Sequence, residues 1–137
     1  MFIDWTCVLD DGERPYGAEV DGDPRRPLRI TAGDAVTIRV TLLTPAGAPA
    51  VLAAGESLTW TAKAIGTPAS RTLLARSATA GQPGSGRYDV TLTTAQTRVF
   101  PAGRAAHDLL AVRADGSRSV IVPLSELVIG RSSLGGA

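Results

Sequence analysis

Residues 31–44 read TAGDAVTIRVTLLT. Val36, Ile38, Val40 and Leu42 alternate with Thr37, Arg39 and Thr41, a strict period of two with β-branched residues on both faces. Gly33-Asp34 punctuates the start and Pro45-Ala46-Gly47 the end. The stretch is a β-strand with one face toward a core and one toward water. The same grammar recurs on either side. Leu58, Trp60, Ala62 and Ala64 alternate with Thr59, Thr61 and Lys63, and Tyr88, Val90 and Leu92 alternate with Asp89 and Thr91. Trp60 is the expected core anchor, because one indole buries a large apolar area. Further strands are expected at 28–30, on an edge, at 71–78, at 105–113 and from 119 to 129.

Turn chemistry sets the order of these strands. Asp115-Gly116 is a hairpin signal between the last two. Pro123 has no amide hydrogen, so it marks an edge or a bulge. Residues 80–86, AGQPGSG, read as a mobile loop. Residues 94–99 allow one helical turn, with Thr94 as its N-cap and Phe100-Pro101 as its stop. About seven short strands, with no helices of 10–15 residues between them, predict an all-β fold. It is an immunoglobulin-like antiparallel β-sandwich with an extended N-terminal arm.

At 137 residues the chain fits one domain with a core that needs no disulfide or metal. Cys7 is the single cysteine, so it has no internal partner and reads as a small buried hydrophobe. No apolar run reaches about 18 residues, which predicts no membrane-spanning helix. The start, MFIDWTCVLDDGE, carries early acids and no basic region, so a signal peptide is not expected and folding in a cytoplasm is.

The net charge of +1 conceals a division. Residues 1–23 hold seven acidic side chains and one arginine, a net of −6, and the remainder is net +7. Prolines, charge and the lack of periodicity over 21–27 predict a linker. The expected organisation is an acidic arm and linker over 1–27, a sandwich over 28–130 and a flexible tail over 131–137. Phe2 and Trp5 are large apolar side chains on that arm; either they fold back onto the sandwich or they enter a neighbour's groove. With Asp10, Asp11, Arg25 and Arg26 they make up the candidate partner-binding set.

No catalytic constellation is present. His107, the one histidine, precedes Asp108, but neighbours in a strand point to opposite faces and do not pair. No serine sits in a Gly-x-Ser-x-Gly elbow. Asp10, Asp11, Asp21 and Asp23 lack the calcium-loop spacing with its closing glutamate, so neither metal nor cofactor is expected. The cluster Arg25, Arg26 and Arg29 has no aromatic residues for base stacking, so nucleic acid is not an expected partner, and neither is a membrane. Exposed aromatics on Tyr16 or Trp5 would be needed for a carbohydrate-binding module.

From about Leu28 to Ile129 the chain resembles the immunoglobulin-like structural modules of tailed bacteriophages, and is similar to the N-terminal domain of baseplate upper proteins. The likeness is carried by Thr31-Ala32-Gly33-Asp34 with AVTIRVTL after it, and by PAGAPAV over 45–51. ESLTWT over 56–61, GRYDVTLTTAQTRVFPAG over 86–103, His107-Asp108-Leu109 and the Asp115-Gly116 hairpin complete it. His107 stands where the family has an aromatic, Arg104-Ala105-Ala106 replaces an aromatic strand start, and the acidic arm has no counterpart. The resemblance implies a non-enzymatic virion protein of a tail, baseplate or tail-like particle, assembled in a bacterial host cytoplasm. Its implied partners are other virion structural proteins, among them copies of itself in a symmetric array. A capsid decoration protein of the same fold is the alternative, and a carbohydrate-binding host-surface module a further one.

Overall fold

A computed structural model describes residues 1–8, 18–19, 27–65, 71–81 and 84–131. In chain order these form β1 (Phe2–Val8), β2 (Ala18–Glu19), β3 (Leu28–Ala32), β4 (Val36–Leu43), β5 (Ser57–Ala64), β6 (Thr72–Ser77), β7 (Thr79–Ala80), β8 (Arg87–Leu92), α1 (Thr94–Arg98), β9 (Gly103–Val112) and β10 (Arg118–Arg131). Strands β2-β1-β4-β8-β7 make one sheet and β3-β10-β9-β5-β6 the other. The two inner faces share one apolar core.

Period-two patterning places the side chains. In β4, Val36, Ile38, Val40 and Leu42 are buried while Thr37, Arg39 and Thr41 are half-buried on the outer face. β8 runs antiparallel beside it, with Tyr88, Val90 and Leu92 inward. From the opposite sheet Leu58, Trp60 and Ala62 of β5 meet them, and Trp60 is fully buried as expected. The Asp115-Gly116 turn joins β9 to β10, with the Arg113 N–H donating to the Ser117 carbonyl at 2.8 Å. The β9–β10 register slips between Val120 and Val122 and again between Val122 and Ser125. That irregularity brackets Pro123, which cannot donate to a ladder.

Several expectations need correction. The strands among the described residues number ten rather than about seven: β1 and β2 are added ahead of Leu28, and past Ala78 a short β7 follows β6. β6 pairs with β5 in one sheet, and β7 pairs with β8 in the other. Two pairings are parallel rather than antiparallel: β1 with β4 and β3 with β10. The helix is capped by Thr93, not Thr94. The Thr93 hydroxyl accepts from the Gln96 N–H and the Gln96 side chain accepts from the Thr93 N–H, a reciprocal capping box.

The largest correction concerns the N-terminus. Phe2–Val8, assigned to the arm over 1–27 although its weak alternation allows a strand and a fold-back onto the sandwich, lies in full register along β4, from Phe2 beside Thr37 to Val8 beside Leu43. Trp5 is 2% exposed and Cys7 fully buried, so both belong to the core. The remaining arm and linker positions, apart from Met1, β2 and Pro27, lie outside the described residues, as does the tail beyond Arg131.

Candidate interaction surfaces

The candidate partner-binding residues part company in the structure. Trp5 points inward from β1 and stacks on His107 of β9 with ring centroids 5.5 Å apart, so it joins the two sheets. Of the two fates open to it in the sequence, it takes the fold-back onto its own sandwich. Phe2 is on the outer face, 56% exposed, with the Arg39 guanidinium 5.0 Å from its ring centroid. Asp10, Asp11, Arg25 and Arg26 lie outside the described residues.

His107 is fully buried between two indoles. Trp60 Nε1–H donates to its Nδ1 at 3.3 Å. An indole nitrogen only donates, so Nδ1 is the acceptor and the imidazole proton sits on Nε2. Among the described residues Nε2 finds no partner. Burial pushes the His107 pKa down to about 4. Asp108 points the other way, as the strand period requires, and accepts from Lys63 Nζ at 3.2 Å on the outer face. Cys7 is buried too, and burial pushes its thiol up to about 12, which keeps it neutral. None of these groups forms a pair suited to proton transfer onto a substrate. They hold the sandwich together.

Three surfaces remain for contact. The outer face of the first sheet carries a charged row. Arg39 Nε donates to Asp89 at 3.1 Å across β4 and β8, and this hydrogen bond, then the Asp89 charge, raise the Arg39 pKa, with Asp4 of β1 adding to them. Alternation alone placed Arg39 and Asp89 outward; which strands adjoin is a tertiary fact that no local pattern carries. A second surface is formed by open strand edges, one at each end of both sheets among the described residues. β2 pairs only with Thr6 and Cys7, so among the described residues the first half of β1 has no strand beyond it. β6, at the end of the second sheet, likewise has β5 on one side only.

The third surface is a cleft of about 220 Å³ where the chain crosses between sheets, lined by Val51, Leu52, Leu58, Ala78 and Tyr88 with Glu56 and Arg87 at its rim. Its walls are fixed. The Tyr88 hydroxyl accepts from the Leu52 N–H at 2.8 Å, and the Gly86 carbonyl accepts from the Leu42 N–H at 2.8 Å. Gly86 has φ +71, and a Cβ there would stand 2.7 Å from the Leu42 carbonyl oxygen. Far from being a loose tip, this glycine is where the 80s loop is pressed against β4.

The sugar-binding reading loses support from the same geometry. Trp5, Trp60, Tyr88 and Phe100 are all buried, Phe2 alone is exposed among the described aromatics, and Tyr16 lies outside them.

No protein-family model matches the sequence, and no curated protein matches it. Solved structures do. The N-terminal domain of phage TP901-1 ORF48 superposes with a TM-score of 0.55 at 8% identity, covering 94% of this chain and 98% of that one. A multicopper oxidase crystal structure reaches a TM-score of 0.41 at 11% identity, covering 93% of this chain and 44% of that one, a likeness too slight to bear on this protein. The first is a likeness of fold: the whole sandwich corresponds to a whole domain of a phage protein.

Proposed function

We propose that this chain is a structural subunit of a phage tail, baseplate or tail-like particle, and that it acts by contact rather than by catalysis. The observation that carries the reading is the end-to-end correspondence of its fold with a domain of a phage protein. The sequence grammar shared with baseplate modules over 28–129 supports it independently. The geometry is of the kind assembly needs. Its buried polar groups serve packing, while its outer features are sheet faces, open strand edges and a small cleft. In a symmetric particle, repeated weak contacts from such surfaces become strong through multivalency. On this reading the partners are other virion proteins and further copies of the chain, with no nucleic acid or membrane, and the protein resides in the virion.

The test is immunogold labelling of gradient-purified particles from cells that make this chain. Gold clustered at the tail or its tip supports the proposal. Gold distributed over heads would assign the chain to capsid decoration instead. A chain found only among soluble proteins, with none in the particles, would overturn both.

A further inference from the structure

We infer that β1 is an exchangeable strand, able to complete the first sheet of a second copy of this chain as well as its own. Among the described residues, the ring contacts of Trp5 and Phe2 and the hydrogen bonds of the N-terminus are made to residues downstream of Leu28. Trp5 stacks on His107, Phe2 lies under Arg39, the N-terminal ammonium donates to the Ala35 carbonyl at 2.9 Å, and the Thr37 N–H donates to the Met1 carbonyl at 2.9 Å. The same groups are present in any other copy, so the seat is equally complementary to a neighbour's strand.

Connectivity permits the exchange. β1 runs parallel to β4, so no hairpin turn ties the two together. β2 travels with β1, and eight residues, 20–27, then separate Glu19 from Leu28. Fully extended, a stretch of that length spans nearly 30 Å at about 3.5 Å per residue, enough to reach a molecule packed alongside. Charge favours the encounter as well. The donor segment, residues 1–23, is net −6 and the remainder net +7, so one copy's N-terminus is attracted to another's body. Within one chain the short tether keeps the strand at home; copies crowded side by side remove that advantage. The inference rests on the assembly reading for that crowding, but the exchange is a property of the isolated chain.

Thr6 and Thr41 are register partners on the outer faces of β1 and β4. Neighbouring strands lie about 4.8 Å apart, within reach of a disulfide. Two full-length variants, Thr6→Cys and Thr41→Cys, are distinguished by isotope label, unfolded in reductant, and refolded together over a range up to about 1 mM, the effective concentration of a short tether. They are then oxidised. Neither variant can form this bond within itself. A mixed disulfide dimer that grows with concentration, to roughly tenfold above either homodimer, is the expected result. A mixed dimer that at every concentration does not exceed the roughly twofold excess over either homodimer given by random thiol pairing would overturn the exchange. That failure would leave the particle-labelling test untouched, so the two readings stand or fall separately.

Discussion

At the scale of single residues, His107 makes the sandwich sensitive to acid. The folded chain holds its pKa at about 4, below the ordinary 6.5 that it regains on unfolding. Above pH 6.5 the ring is neutral in both states and the full stability is present. As pH falls from there toward 4, only the unfolded chain takes up the proton, so stability drops. The loss is about 3 kcal/mol once pH passes below the folded pKa. Urea midpoints measured at about pH 7 and about pH 4 should show this fall, and His107→Gln, which does not titrate, should lack that component of the slope. Gly86 is the second decisive residue. Its positive φ and the Leu42 carbonyl 2.7 Å from any Cβ leave no room for alanine. Gly86→Ala should cost on the order of 1–3 kcal/mol, read as a lowered urea midpoint. The sequence showed a glycine in a loop; it could not show that β4 lies against it, because that approach is made by residues more than forty positions away.

At the scale of elements, β1 separates what was legible from what was not. Strands β4, β5 and β8 were readable because their own alternation is clean and their flanking turns are marked. β1 carries the same alternation in Ile3, Trp5 and Cys7, but Phe2 blurs it, and an acidic, proline-bearing stretch divides it from the rest. Its partner is β4, nearly thirty residues downstream of Val8 and parallel to it, and nothing local announces such a pairing. Phe2 becomes intelligible only in the sheet, where Arg39 from the adjoining strand lies over it. The energetic weight of β1 follows from its burial. Trp5→Ala should destabilise the protein by about 3–5 kcal/mol, the usual range for removing a buried large aromatic, as measured by urea unfolding. Deleting residues 1–8 should do more. It strips the Trp5–His107 stack and leaves the β4 edge unpaired, so the truncated chain is expected to aggregate. A truncated chain that stays soluble with an unchanged midpoint would contradict the placement of β1.

At the scale of the whole molecule, the protein is two sheets closed on one core, completed by its own first strand, with the Arg39–Asp89 row and the open strand edges left on the outside. The fold class was legible because turn signals and period-two patterning are local. The sheet order, the two parallel pairings and the crossing from β6 in one sheet to β7 in the other were not, since each depends on distant residues meeting. Of the candidate contact residues, Phe2 is on the surface and Trp5 is in the core, which moves attention to the outer face of the first sheet and its open edge. Amide hydrogen exchange tests this arrangement most directly. The Thr37 N–H donates to the Met1 carbonyl, and in a parallel ladder the bonds continue at every second residue. The amides of Ile3, Trp5 and Cys7 should therefore point to β4 and exchange as slowly as those of β4 itself. The amides of Phe2 and Asp4 should face the open edge and exchange fast. Uniformly fast exchange over residues 2–8 would contradict the account, for it would mean that the chain begins with an arm and not with a strand.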